Sequence, residues 1–472
     1  MNPHFTSSQG FDIPEELLTE IPARIALRYR VLPLARENGK LKVLVCEEFS
    51  SQSKEELRIL LGKELDFVRV DRSKIEASLA KLYGVGAEVI ETLAEDKEKE
   101  PEARDFEIID RDPQEAATIT RLVNEFLQDG LAQRASDIHI EPFEKSFRIR
   151  YRIDGLLREA RVSGKIRQLA SSLISRVKVM ASLDIGERRL PQDGRIKIKH
   201  GAEELDLRVS VIPSSAGEAI VLRILKPLAL LDLVELGFDA ETLGKIRSHL
   251  AKPHGMILVT GPTGSGKTTT LYACLKELNS VERKILTIED PIEYKLPGIL
   301  QMQVNPKIGL TFAKALRSML RHDPDILMVG EIRDPETAEI AIRSALTGHL
   351  VLSTLHTNDA SSAVTRLLEM GIEPYLAASS VEAVLAQRLV RKLCPPCDKC
   401  QGTGYFGRTA LYEFMMMNES IRSLILEERP ASMIRQEAQK SGMISLLEYG
   451  KKKLREKVTS PEELQRVISY EG

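Results

Sequence analysis

The chain has 472 residues, a formal net charge of −2 at pH 7, 43% hydrophobic and 29% charged residues. That balance fits a folded protein of about two to four domains and gives no global field for nucleic acid, so any basic surface is local. No apolar run approaches the ~18 residues of a membrane helix, MNPHFTSSQGFDIPEELL carries no basic-then-apolar leader, and five cysteines, three of them clustered, suggest no disulfide framework. These features predict a cytosolic protein with no direct nucleic-acid partner, which meets a membrane only through another protein.

Residues 11–84 read as a small α/β domain. Pro14–Leu27, Lys54–Leu61 and Ser73–Tyr83 have helical patterns, and Lys42–Cys46 and Asp66–Val70 read as strands. No cluster of catalytic residue types occurs there, so a docking or scaffold role is predicted. The stretch 85–112 turns charged and poor in apolar residues, the composition of a flexible linker.

A second domain is expected over 113–228. Glu115–Ala132 carries Ile119, Leu122, Val123, Phe126, Leu127 and Leu131 on one helical face. Ser136–Glu141 and Phe147–Ile153 alternate as strands, the latter with Arg148, Arg150 and Arg152 on one side. That stripe is a solvated sheet face or a contact with a neighbouring subunit or nucleotide. Asp154-Gly155 signals a hairpin. A helix over Lys165–Ser182 and strands near Arg195–Lys199, Leu205–Val211 and Ala219–Leu225 follow.

From residue 229 onward apolar strands alternate with helices: Ile257–Thr260, Ile285–Ile288, Leu300–Val304, Ile326–Val329 and Leu350–Thr354. Such uninterrupted apolar strands predict a mostly parallel sheet covered on both faces. The first runs into Gly261-Pro262-Thr263-Gly264-Ser265-Gly266-Lys267-Thr268-Thr269, the G-x-x-x-x-G-K-[ST] spacing of a P-loop. There backbone N–H groups converge on a phosphate chain, Lys267 reaches the β- and γ-phosphates and the Thr268 hydroxyl ligates Mg²⁺.

Three further strand ends narrow the chemistry. TIEDPIE places Glu289, Asp290 and Glu293 after one strand. DILMVGEIRD ends another on Glu331, where an acid is needed to hold the metal's water or to activate the attacking one. TGHLVLSTLHTN places His349 and His356 at the two ends of a third, with His356 on the phosphate side.

These blocks resemble the ATPases of the type II secretion and type IV pilus families. In family terms Gly261–Thr268 is similar to the Walker A motif, Thr287–Glu293 to the aspartate box, Asp325–Asp334 to the Walker B block and Thr347–Asn358 to the histidine box. SDIHIEP, RLPQDGR and DLRVSVIPSSAGE in the second domain match as well. The resemblance implies an N-terminal partner-binding domain (1–84), a PAS-like α/β second domain and a RecA-like P-loop motor (229–472), assembled as a hexamer. It implies ATP hydrolysis with Mg²⁺ driving assembly of a pseudopilus, or alternatively of a type IV pilus. It also implies that residues 1–84 bind an inner-membrane secretion platform, and that the protein works on the cytoplasmic face of the inner membrane. Catalytic roles fall on Glu331, Glu293 and His356, with Arg195 and Arg208 as arginine fingers; Arg195 is expected at an exposed hairpin or loop edge after Asp193-Gly194. Glu289, Asp290 and His349 are carried as nucleotide-binding residues, and Arg317 and Arg321 resemble subunit-interface arginines. Family members commonly hold zinc with two C-x-x-C pairs, whereas here only Cys394, Cys397 and Cys400 stand together, one thiol short of a tetrahedral set.

Overall fold

A computed structural model of the chain describes residues 11–468 except 12, 38, 47–48, 88, 91–112, 201–202, 226–230, 396–397 and 401. The chain divides between residues 226 and 227 into two compact units.

The first unit holds two sheets. Strands β1 (Leu32–Glu37), β2 (Lys40–Cys46) and β3 (Leu65–Val70) form one in that order, β1 antiparallel and β3 parallel to β2. β2 buries Leu41, Val43, Leu44 and Val45 under the helices Ser51–Leu61 and Arg72–Tyr83. Ser50 and Asp71 cap those helices by accepting from the N–H groups of Ser53 and Ser73. The helix expected over Pro14–Leu27 is two, Glu15–Leu18 and Ala23–Tyr29. The break falls at Pro22, which lacks an N–H to continue the ladder.

The second sheet is antiparallel, ordered β6-β5-β4-β9-β8-β7. Its strands are β4 (Asp137–Pro142), β5 (Phe147–Ile153), β6 (Leu156–Glu159), β7 (Gln192–His200), β8 (Glu203–Ser214) and β9 (Gly217–Leu225). One face carries Ile138, Ile140, Ile149, Tyr151, Leu207, Val209 and Leu222 into a core closed by the helices Pro113–Ala132 and Ala170–Met180. Val89 and Ile90 join this core, so the chain stays packed beyond Gly84; the charged stretch 91–112 lies outside the described residues. Asp154 and Gly155 take φ of 48° and 91°, the left-handed pair a tight hairpin requires. The expected helix Lys165–Ser182 opens as a 3₁₀ stretch, Gly164–Leu169, before the α-helix begins.

The second unit is one seven-stranded sheet, ordered β12-β11-β13-β14-β10-β15-β16. Its strands are β10 (Gly255–Thr260), β11 (Ile285–Glu289), β12 (Leu300–Gln303), β13 (Ile326–Val329), β14 (Leu350–Leu355), β15 (Val381–Leu393) and β16 (Tyr405–Met416). All pairs are parallel except β15–β16. β10, β13 and β14 are buried throughout, which is why they read as plain apolar runs. Among the described residues β15 and β16 are the strands of this sheet absent from the sequence reading. They join the C-terminal helices to the sheet: Arg391 on β15 and Arg466 on the helix Pro461–Ile468 both donate to Glu463, whose side chain is fully buried. Among the described residues no helix is long and apolar enough to cross a membrane.

Candidate nucleotide site

β10 sits in the interior of the sheet, between β14 and β15, and the P-loop leaves its carboxyl end. Gly261 turns with φ 146°, and a Cβ there would lie 2.5 Å from the Gln387 carbonyl oxygen and 2.6 Å from Ser265 Oγ. The loop thus passes against β15 at a distance only glycine permits. The helix Lys267–Leu278 starts directly behind it, with its first amides toward the loop. Lys267 Nζ donates to the carbonyls of Gly261 (2.8 Å) and Pro262 (3.1 Å). Burial pushes its ammonium down to about 8; the Glu331 carboxylate opposes that fall and the Arg388 guanidinium adds to it. Thr263 and Thr268 are exposed, and Ser265 Oγ is buried with no hydrogen-bond partner.

Three strand ends face the same sheet edge. After β13, Gly330 N donates to Ile288 O and Ile332 N to Thr354 O, which fixes the turn carrying Glu331 between β11 and β14. Glu331 Oε2 accepts from Arg333 Nε (2.6 Å) and lies 3.3 Å from His356 Nε2. After β14, Thr357 N donates to Thr260 Oγ1 (3.0 Å), tying the His356 loop to the end of the P-loop strand. After β11, Asp290 is exposed and Glu293 half-buried. Tyr294 hydrogen-bonds Thr269 of the P-loop helix and meets Tyr272 edge-on at 4.9 Å, so this segment packs on that helix.

Two expectations are corrected. Glu289 does not face the edge freely: it is 3% exposed, and its oxygens accept from Tyr272, Thr287 (2.6 Å) and Gln301 (3.1 Å). Burial raises its pKa against those hydrogen bonds. Its oxygens are taken up in bracing Tyr272 and the neighbouring strand ends. His349 precedes β14, at the amino ends of the strands, with Nδ1 3.0 Å from Ser344 O. At ~3.3 Å per residue the strand puts it roughly 20 Å from the P-loop edge, out of reach of a nucleotide held in this chain's own loop.

Arg195 is also placed differently. Gly194 continues β7, paired opposite Val209 of β8, and is glycine because a Cβ there would lie 2.7 Å from Ala181 O. Arg195 therefore stands within β7, opposite Arg208 on β8, which is opposite Arg223 on β9, which is opposite Asp137 on β4. The buried Asp137 carboxylate accepts from Arg223 (2.8 Å) and lies 3.7 Å from Arg152. Arg150 of the predicted stripe grips Glu141 with two donors. In the second unit Arg317 pairs with Glu336 (2.6 Å), and Arg321 bonds Arg317 O just past the same helix, Phe312–Met319. Cys397 lies outside the described residues; among those described, no group of three His, Cys, Asp or Glu could hold a metal ion.

Sequence reasoning missed Tyr272, Gln387 and Arg388. Gln387 Nε2 donates to Ser265 O (2.6 Å), and its Oε1 accepts from Thr270 Oγ1 (2.8 Å). Arg388, also buried, donates to Asn358 Oδ1 (3.2 Å) in the His356 loop. The available signal was two polar residues in the middle of the apolar run VEAVLAQRLV.

Comparison with solved structures agrees with this fold. The Legionella pneumophila ATPase DotB superposes with a TM-score of 0.60 over 74% of this chain and 96% of its own, at 24% identity. The pilus retraction motor PilT with bound ADP gives 0.52 over 72% and 95%, at 28% identity. Fold and site together define a RecA-like P-loop ATPase. Residues 112–466 match the family described as type II/IV secretion system protein, and residues 3–89 the MshEN domain. The type IV pilus assembly ATPase PilB of Myxococcus xanthus is 43% identical over 97% of this chain and 87% of its own length. Type II secretion system protein E of Xanthomonas campestris is 42% identical over 97% and 86%. The type II secretion system ATPase E of Vibrio cholerae is 42% identical over 95% and 97%. The chain belongs to this family of secretion ATPases, and its reaction is ATP hydrolysis.

Proposed function

We propose that the chain is a hexameric motor on the cytoplasmic face of an inner membrane, where ATP hydrolysis drives pseudopilus assembly and protein export by a type II secretion system. The observation that carries the chemistry is the convergence of Glu331, His356 and the P-loop on one sheet edge. Similarity to type II secretion ATPases over nearly the whole chain supports the pathway; similarity of the same extent to a pilus assembly ATPase makes pilus extension the second reading.

In this reading the amides of Gly261–Thr269 and Lys267 hold the phosphates. The unpartnered, buried Ser265 hydroxyl and the exposed Thr268 hydroxyl give the loop the hard oxygen donors that suit Mg²⁺, with Glu331 reaching it through water. When bound, the ion neutralises charge on the phosphate oxygens. Glu331 polarises the attacking water, His356 orients that carboxylate and meets the γ-phosphate, and Asp290 and Glu293 line the approach. Arg195 and Arg208 supply positive charge as it redistributes in the transition state. The chain is organised as a docking domain over residues 1–84, a second domain over 113–228 with Val89 and Ile90 packed into its core, and a motor over 229–472, and the first of these docks on the membrane platform. A chain starting near Pro113 should stay soluble and keep nucleotide binding but leave the membrane fraction of cells; persistence there moves the docking site elsewhere.

The pathway is tested by replacing the chromosomal copy with Glu331→Gln. Loss of proteins from the culture medium with surface pili intact is expected. Loss of pili with secretion intact selects the second reading.

A further inference from the structure

The P-loop is gripped from the side by a strand that follows it by more than a hundred residues. β15 runs parallel to β10, with Thr260 opposite Ala386, so Gln387 falls one step past the end of the strand that feeds the loop. Its side chain is 1% exposed and uses both ends. The amide N–H donates to the Ser265 carbonyl at 2.6 Å, in the middle of the loop, and the amide oxygen accepts from the Thr270 hydroxyl at 2.8 Å, in the first turn of the helix. Its own carbonyl oxygen lies 2.5 Å from where a Cβ on Gly261 would be, and its Nε2 stands 3.0 Å from where one on Gly266 would be. One residue thus touches the start, the middle and the end of the loop.

The chemistry makes this contact directional. A peptide unit whose carbonyl is held outward by a donor turns the following N–H the other way, into the loop. The Ser265 carbonyl precedes the Gly266 amide, and Gly266 leads into Lys267. Few residues give both a donor and an acceptor in one rigid planar group, and glutamine does so with the reach to bridge loop and helix.

We infer that Gln387 is a positioning residue for phosphate binding: it fixes the Ser265–Gly266 peptide and the first helical turn so that the loop amides converge on the nucleotide. This rests on the reading that Gly261–Thr268 holds the phosphates. Gln387 makes no contact with the reacting atoms and acts through the loop.

The test uses the full chain with Mg·ADP and Mg·ATP. Gln387→Met keeps the volume and removes both hydrogen bonds; Thr270→Val removes only the helix-side one. Titration with a fluorescent ADP should give a Kd weakened about tenfold for Gln387→Met and about threefold for Thr270→Val, in line with the loss of one or two buried hydrogen bonds. KM for ATP should rise in step while kcat changes less. The double variant should bind no more weakly than Gln387→Met alone, because Thr270 acts through the same amide. An unchanged Kd in either variant with a lowered unfolding temperature makes Gln387 ordinary core and overturns the inference, as does an additive double variant. If Gln387→Met does not fold, Thr270→Val alone decides by the same criterion. A wild-type chain that does not bind Mg·ADP overturns the P-loop reading instead.

Discussion

At the carboxyl edge of the seven-stranded sheet, ionisable groups are enclosed: Lys267 bonds loop carbonyls, Glu331 sits between Arg333 and His356, and Glu289 is encased by Tyr272, Thr287 and Gln301. Across β7, β8 and β9 of the six-stranded sheet, Arg195, Arg208 and Arg223 stand opposite one another in register, and Arg223 pairs with Asp137 of β4. Like charges directly opposite on neighbouring strands destabilise a sheet by up to roughly 1 kcal/mol per pair. The edge groups are held by neighbours within the motor; the arginine row is held in register by strand pairing, and the proposed role of Arg195 and Arg208 draws on that register.

The contrast breaks hardest at Glu331. Glu331→Gln should lower turnover by about 10²–10³-fold while leaving the Kd for ATP within a few-fold, because positioned charge acts mainly in the transition state; steady-state hydrolysis alongside nucleotide titration measures both. Turnover near the wild-type value would remove Glu331 from the chemistry.

The arginine row should respond in turnover and not in stability. Arg195→Ala and Arg208→Ala should each lower turnover by about 10²-fold or more, with little change in the unfolding temperature of the nucleotide-free chain. A lower unfolding temperature with unchanged turnover would make the row structural. Turnover per subunit should also rise with protein concentration as hexamers form.

A pH series sharpens the comparison at Lys267. With its pKa held at about 8, well below the usual lysine value, the ammonium loses its proton as pH rises through 8. ATP affinity should therefore weaken between pH 7 and 9, by up to about tenfold per unit above 8. Between pH 8 and the ordinary lysine pKa of 10.5 the unfolded chain binds more protons than the folded one, so this group adds stability to the nucleotide-free protein as pH rises there. Lys267→Met should abolish that stability slope. A flat affinity profile would show that Lys267 stays charged.

The smallest effect concerns the C-terminal helix. Burial alone would raise the pKa of Glu463, but hydrogen bonds from Arg466 and Arg391 outweigh it and hold the carboxyl at about 2, against an ordinary 4.5. The stability it contributes is present above about pH 4.5 and is lost as pH falls toward 2. Glu463→Gln should flatten the fall in unfolding temperature over that window; an unchanged acid profile would place the sensitivity elsewhere.

What could be read from the sequence follows the range of the forces involved. The hairpin at Asp154-Gly155, β13 and the P-loop turn are local, and their residues declare them. β1 was hidden because Pro33 argues against a strand, although an edge position accepts proline. β15 and β16 are fixed by pairing with each other and with β10, contacts that local spacing does not encode. Gly194 looked like a turn, but its reason is the closeness of Ala181 O, and that error moved Arg195 off its strand. The edge assignment of Glu331 and His356 needed only strand direction, which the apolar runs supplied. Glu289 misled because position at a strand end says nothing about which neighbours enclose a carboxylate. His349 misled because one motif spans both ends of a strand. Gln387 stayed invisible because its partners are remote in sequence.

The position of β10 between β14 and β15 also sets a schedule for synthesis. Thr270 and its partner Gln387 are 117 residues apart in the chain. At roughly 5–20 residues per second, on the order of 6 to 25 s separate the emergence of the P-loop from that of the strand that grips it. Until then the β15 side of β10 is an open hydrogen-bonding edge beside an apolar surface, a ready target for chaperones and for mispairing.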